Sequence, residues 1–157
     1  MRRRNNKYVN VSTNKKDLTY KGVKYKSRLE KEMAKMLDEA GLPLNYETRT
    51  FVIFKKENDS IGSIRKTVKN TGDYKLRDTK LNSLKYTPDF IDDDLKQNNA
   101  FIIETKGRPD TAFMLRFKLF QRYCNKYYPK IKIYMPRNLK QCRETIKLIL
   151  NNRENEE

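Results

Sequence analysis

Two short stretches of the chain concentrate the side chains able to do chemistry. One is Tyr86-Thr87-Pro88-Asp89-Phe90 and the other is Phe101-Ile102-Ile103-Glu104-Thr105-Lys106-Gly107. Their acidic residues lie 15 positions apart, room for a strand, a turn and a second strand. If the two stretches pair as neighbours, both carboxylates converge. Phe101 to Ile103 is a continuous apolar run, which predicts a strand buried on both faces. Glu104 and Lys106 follow at once, and residues two apart in a strand share a face. Charges at the end of a core strand are costly unless something compensates them. A divalent cation held by Asp89 and Glu104 would do so. A same-face Glu104–Lys106 salt bridge is the plainer alternative, and a single Glu-x-Lys in a basic chain says little.

The chain has no histidine. This excludes serine–histidine and cysteine–histidine catalysis, histidine general bases and histidine-ligated zinc. Carboxylates, lysine, tyrosine and a metal on oxygen ligands remain, and such ligands favour Mg2+ or Mn2+. Phosphodiester hydrolysis needs this set. Two carboxylates can hold an ion that activates water, with the backbone carbonyl of Thr105 as a further oxygen ligand. Lys106 can orient the water or stabilise charge developing on the phosphate. Glu47 could also approach such a site, but an exposed strand residue is the preferred reading.

The charge balance agrees. Lys and Arg number 36 against 20 Asp and Glu, a formal net charge of +16 on 157 residues. That excess predicts a polyanionic partner, nucleic acid first and an anionic membrane surface second. No apolar run approaches the roughly 20 residues that span a bilayer, and no long basic amphipathic helix supports a membrane-surface role, so no membrane partner is expected. Basic residues at the N-terminus have no apolar stretch behind them, unlike a signal peptide. Cys124 and Cys142 fit no zinc spacing and read as small core residues of a reduced, intracellular protein.

The elements that must position these residues follow from periodicity. Residues 1–20 are read as a flexible basic arm, 21–151 as a single domain and 152–157 as a frayed tail. A helix is predicted over 27–40, with an apolar stripe of Leu29, Met33, Met36, Leu37 and Ala40 and a stop at Gly41 and Pro43. A strand is predicted over 44–56. Residues 57–83 are either a disordered insertion or a hairpin with strands near 63–69 and 74–78 around a turn at Asn70-Thr71-Gly72-Asp73. Strands at 84–92 and 100–106, a helix at 111–128, a strand at 131–134 and a helix at 138–151 complete the chain. The aromatic stripe of the second helix (Phe113, Phe117, Phe120, Cys124, Tyr127) is expected to be core packing. The order predicts an α/β fold, a mixed β-sheet flanked by helices.

The motifs also resemble a known family. Pro88-Asp89 followed by Glu104-Thr105-Lys106 is similar to the PD-(D/E)XK nuclease superfamily, whose fold is restriction-endonuclease-like. More narrowly, Lys26-Ser27-Arg28-Leu29-Glu30, Tyr86 to Phe90, Glu104 to Gly107 and Tyr128-Pro129-Lys130-Ile131-Lys132-Ile133 resemble the phage endonuclease I family of Holliday-junction-resolving enzymes. The resemblance spans about residues 25–137. It implies a metal-dependent DNA endonuclease acting on branched DNA, a homodimer exchanging strands and helices, and a phage-encoded protein working in the host cytoplasm. It also implies that helix-borne Glu30 completes a site of Glu30, Asp89, Glu104 and Lys106. Glu30 has a simpler reading, because Ser27 and Glu30 are spaced as a capping box. Linear, flap or single-stranded DNA remain alternative substrates, and a non-catalytic nucleic-acid-binding module is the alternative of another class.

Overall fold

The computed structural model describes residues 18–57, 60–66 and 74–155. In chain order the elements are β1 (Thr19–Tyr20), β2 (Val23–Lys24), α1 (Arg28–Glu39), β3 (Asn45–Tyr46), β4 (Phe51–Phe54), β5 (Ser60–Lys66), β6 (Tyr74–Lys80), β7 (Leu84–Tyr86), β8 (Phe90–Ile91), β9 (Phe101–Ile103), α2 (Thr111–Tyr127), β10 (Lys132–Tyr134) and α3 (Leu139–Glu154). Residues 1–17 of the expected arm, the expected turn at 70–73 and the end of the tail at 156–157 lie outside the described residues.

Each helix begins on a side-chain cap that satisfies one of its unpaired amides. Ser27, Asp110 and Asn138 accept from the backbone N–H of Glu30, Phe113 and Gln141. The first helix ends in a Schellman turn. Gly41 adopts a left-handed φ of +65°. Its N–H reaches the Asp38 carbonyl at 3.0 Å, and the Leu42 N–H reaches the Leu37 carbonyl at 2.9 Å. Leu42 and Leu37 are both buried in one apolar cluster, which locks the exit of the helix.

The central sheet runs β10-β9-β8-β3. It is mixed, with β10 parallel to β9 and the other neighbours antiparallel. Its faces read off the alternation in β9. Phe101 and Ile103 pack with Met33, Ala34 and Leu37 of α1 and with Cys142, Ile146 and Ile149 of α3. Ile102 packs with Phe113, Phe117, Phe120 and Cys124 of α2. The molecule is therefore an α/β layering, with α1 and α3 on one side of the sheet and α2 on the other. Each aromatic side chain so buried is worth about 1.5–3 kcal/mol. The α2 stripe is core as far as Cys124, whereas Tyr127, expected in it, is 55% exposed. Burial raises the Cys124 thiol to about 12 and that of Cys142 to about 11, which keeps both protonated and inert. Among the described residues, no helix is long and apolar enough to cross a membrane.

Several boundaries differ from the sequence reading. The single strand expected over 44–56 is two strands, because Glu47 takes a left-handed φ of +49° and turns the chain. The strand expected over 84–92 also breaks, at Thr87 to Asp89, where Pro88 has no N–H for a ladder. These breaks face each other. β3 pairs with β8, while β4 pairs with β7 in a separate two-stranded sheet. Residues 60–66 and 74–80 form a hairpin; its first strand begins three residues before the expected 63–69 and its second runs two residues past the expected 74–78. At the N-terminal end, Thr19–Tyr20 pairs with Val23–Lys24, so the last residues of the expected arm belong to the folded unit. At the other end α3 continues to Glu154, past residue 151. Arg153 is held there by an ion pair at 2.6 Å to the buried Asp92.

Candidate active site

Asp89 stands immediately before β8 and Glu104 immediately after β9. Phe90 lies opposite Ile103, and Ile91 opposite Ile102. One step further along this antiparallel pair sets Asp89 against Glu104. Directly opposed residues have Cβ atoms about 4.5–5.5 Å apart on one face. Two carboxylates therefore meet at the end of the sheet, Asp89 7% and Glu104 8% exposed.

Their hydrogen bonding is unequal. Asp89 Oδ2 accepts from both the backbone N–H and the hydroxyl of Thr105, each at 2.6 Å. Both bonds fall on one oxygen. Glu104 Oε2 is buried with no hydrogen-bond partner among the described residues. The Tyr86 hydroxyl lies close enough to influence the Glu104 carboxyl, but it closes no well-formed hydrogen bond, and it too is buried without a hydrogen-bond partner among the described residues. Burial is the main force raising both carboxyls. It lifts Asp89 to about 6, against the pull of the Thr105 bonds and with a push from Glu30 and Glu47. It lifts Glu104 to about 8, helped by Asp89 and opposed in part by the nearby Tyr86 hydroxyl and then by Lys106. The protons belong to the pair rather than to either residue.

Lys106 follows on the same edge. Its backbone N–H reaches the Pro136 carbonyl at 3.2 Å, carrying the parallel ladder beyond β9. Its ammonium lies 4.9 Å from the centre of the Phe113 ring, a cation–π contact with the start of α2. Glu30 comes from the first turn of α1 and is 7% exposed. Its Oε2 accepts from the Lys26 N–H at 2.9 Å and from the Tyr46 hydroxyl at 2.6 Å. Ser27 caps the Glu30 N–H at 3.2 Å. The serine half of the capping box is thus present, while the Glu30 carboxylate reaches one residue further back and across to β3.

Glu30, Asp89, Glu104 and Lys106 line one open cavity of about 480 Å³. All four residues picked from sequence come together there. Thr105 is at the site as well, and what it shows is the double donation to Asp89. Glu47 is not the exposed strand residue preferred from sequence. It sits at the break after β3, donates its N–H to the Asp89 carbonyl at 2.8 Å, pairs with Lys26 and lines the cavity. The facing breaks in the two hairpin strands open this space, since Glu47, Thr87 and Asp89 all lie in them.

Four further lining residues were given no role from sequence: Lys26, Lys85, Tyr86 and Arg116. Arg116 had a readable signal, because it follows Phe113 by three residues and so flanks the apolar stripe of α2. Lys26 and Lys85 had none beyond their charge.

Among the described residues no three acidic groups stand close enough to form a complete metal cage. The donor set nonetheless suits a hard divalent ion. It offers two opposed carboxylates, an Asp89 oxygen outside the two Thr105 bonds and a buried Glu104 oxygen without a hydrogen-bond partner among the described residues, which is the kind of acceptor that a cation relieves. A second cavity, between β4 and α2, has no carboxylate among the described residues that line it. No protein-family model, curated protein or solved structure matches the chain.

Proposed function

We propose that the chain is a divalent-metal-dependent endonuclease that hydrolyses DNA phosphodiester bonds, built on a restriction-endonuclease-like fold and acting on branched DNA such as a four-way junction. The observation that carries this reading is the unpartnered, buried Glu104 Oε2 set against Asp89 in a cavity rimmed by Lys26, Lys85, Lys106 and Arg116. A rim of cations attracts a phosphate backbone. Two carboxylates at the centre repel it unless a cation intervenes. A simple binding surface has no use for such a centre.

Asp89 and Glu104 would hold Mg2+ or Mn2+, with the Thr105 carbonyl as a further oxygen ligand. Glu30 lines the same cavity but does not stand close enough to the pair to make a three-carboxylate cage, and would act from the cavity wall. When bound, the ion polarises the phosphate and lowers the pKa of an attacking water. Lys106 brings a positive charge to the same cavity, where it offsets negative charge growing on the phosphate. Thr105 fixes Asp89 through two hydrogen bonds, so that this carboxylate is positioned before substrate arrives. Arg116 and Lys85 engage flanking phosphates. Cutting both strands across a junction takes two such sites, hence a homodimer.

The test is cleavage of a four-way junction against a linear duplex of the same sequence, in Mg2+, in Ca2+ and in EDTA. The junction should be cut faster in Mg2+ and neither substrate cut in EDTA. Ca2+ should support binding without cutting, since it fills oxygen sites without magnesium's strict geometry. Lys106→Ala should slow cleavage by about 100-fold, in the range for losing one charge-stabilising donor, while changing DNA affinity far less. Equal rates on both substrates would shift the substrate to linear duplex. Binding with no metal-dependent cleavage under any condition would leave a non-catalytic module.

A further inference from the structure

The second cavity has a chemistry of its own. It measures about 520 Å³ and lies between β4 and α2. Ile53 and Leu119 contribute apolar surface to it, and Phe54, Tyr123 and Tyr127 bring aromatic rings. Phe54 and Tyr127 are each 55% exposed. Single exposed apolar residues need no explanation, but a contiguous group marks an interaction site. Tyr123 and Tyr127 stand four residues apart on α2, and so do Arg122 and Lys126. Side chains four apart stack along one helix face. The helix therefore carries an aromatic row beside a cationic row. The two tyrosine rings are 4.7 Å apart between centroids, and the Lys126 ammonium sits 5.1 Å from the Tyr127 ring.

Charge selects the occupant. The described lining holds two cations and no carboxylate, on a chain of net charge +16. A second copy packed symmetrically here would bring Arg122 and Lys126 against their own like charges. A neutral apolar peptide would leave both cations without partners. A single nucleic-acid strand meets both rows at once, its bases on the rings and its phosphates on the cations. We infer that this groove binds an unpaired stretch of DNA, with bases stacking on Phe54 and Tyr127 and phosphates meeting Arg122 and Lys126. The inference rests on the nucleic-acid part of the proposed function and not on catalysis. It supplies what the carboxylate cavity lacks, a means of favouring substrates that expose unstacked bases.

The experiment is fluorescence anisotropy in EDTA, where nothing is cut, with a labelled oligothymidylate of about 15 nucleotides, near the upper site size of such grooves, and a hairpin duplex as control. Tyr127→Ala and Phe54→Ala should each weaken oligothymidylate binding by about 5- to 100-fold, the range for losing one stacked base. Duplex affinity should hold, and Tyr127→Phe, which keeps the ring, should bind like the parent. Both positions are exposed, and unchanged melting temperatures would show the fold intact. Unchanged oligothymidylate affinity in both alanine variants would overturn the inference, as would an equal loss for duplex. A parent dimer in sedimentation that Phe54→Ala dissociates would also overturn it, by placing a second copy in the groove. Junction cleavage without stacking would sink this inference alone, and stacking without cleavage would sink only the nuclease reading.

Discussion

Glu104 carries an unusual load for one side chain. It is 8% exposed, one oxygen has no hydrogen-bond partner among the described residues, and a second carboxylate stands opposite. Removing a carboxylate from water without a partner costs several kcal/mol or drives it to keep its proton. Asp89 and Glu104 are both raised, to about 6 and about 8, from ordinary values of 3.8 and 4.5. Between those ordinary values and the raised ones, the folded chain holds more protons than the unfolded chain. By linkage its stability then falls as pH rises through that window. Metal-free protein should therefore melt at a higher temperature near pH 5 than near pH 9, with most of the decline complete once Glu104 has ionised. Mg2+ should restore little at the acid end, where protons occupy its ligands, and most at the alkaline end. Glu104→Gln should flatten the metal-free profile at its alkaline side and remove most of the Mg2+-induced gain. Melting curves across this pH range, with and without Mg2+, check both. A metal-free melting temperature that is level across the range would mean that the pair is not buried in charged form.

At the scale of elements, the sheet is held at both ends by carboxylates. Beyond β8, Asp92 is fully buried as a side chain and binds Arg153 of α3. It also accepts from the N–H of Phe101 at 3.3 Å and of Asp93 at 2.9 Å. Asp92→Ala strips three donors of their acceptor at once. It should destabilise the protein by roughly 2–4 kcal/mol, as for a buried ion pair broken on one side. Arg153→Ala should cost a comparable amount by leaving Asp92 charged and buried. A lowered urea midpoint with an unchanged slope would show it, whereas a change within about 0.5 kcal/mol, as for an ordinary surface residue, would count against a structural role. None of this was legible in the sequence. Asp92-Asp93-Asp94 reads as a polar loop, and the cation that gives Asp92 its role lies 61 residues away. The same limit explains the broken strands. Asn45–Tyr46 and Phe51 to Phe54 read as one strand over 44–56, because local alternation cannot show that Glu47 turns and that the halves pair with different partners. The helices were legible because their signals are local: Ser27 before α1, Gly41 after it, and apolar stripes between. Glu104 and Lys106 were legible for another reason: charges directly after the apolar run Phe101 to Ile103 contradict burial, and such a contradiction draws attention wherever it stands. Asp89 was legible through its spacing, 15 positions ahead of Glu104, which leaves room for two strands to bring the carboxylates together.

The whole molecule adds the long-range field. A net charge of +16 spread over 157 residues draws in any polyanion, so binding by itself identifies little. Its salt dependence identifies more, because each neutralised phosphate releases condensed counterions in proportion. Lys26, Lys85, Lys106 and Arg116 ring the carboxylate cavity. If these four each meet a phosphate of duplex DNA, log Kd should change with log salt at a slope near 3.6, so a fourfold rise in salt should cost about 150-fold in affinity. Arg116→Ala should lower that slope by about one. It should do so alike for every duplex sequence, since a phosphate contact reads no bases. Asp89→Ala should act in the opposite direction in EDTA, tightening DNA by removing a negative charge from the centre of the ring, and it should lose that advantage in Ca2+, where the parent carboxylates are neutralised by the ion. Titrations at several salt concentrations, in EDTA and in Ca2+, separate the two effects. A slope that Arg116→Ala leaves unchanged would place the bound backbone elsewhere on the surface. An Asp89→Ala variant no tighter than the parent in EDTA would mean that phosphate does not approach the carboxylate pair at all.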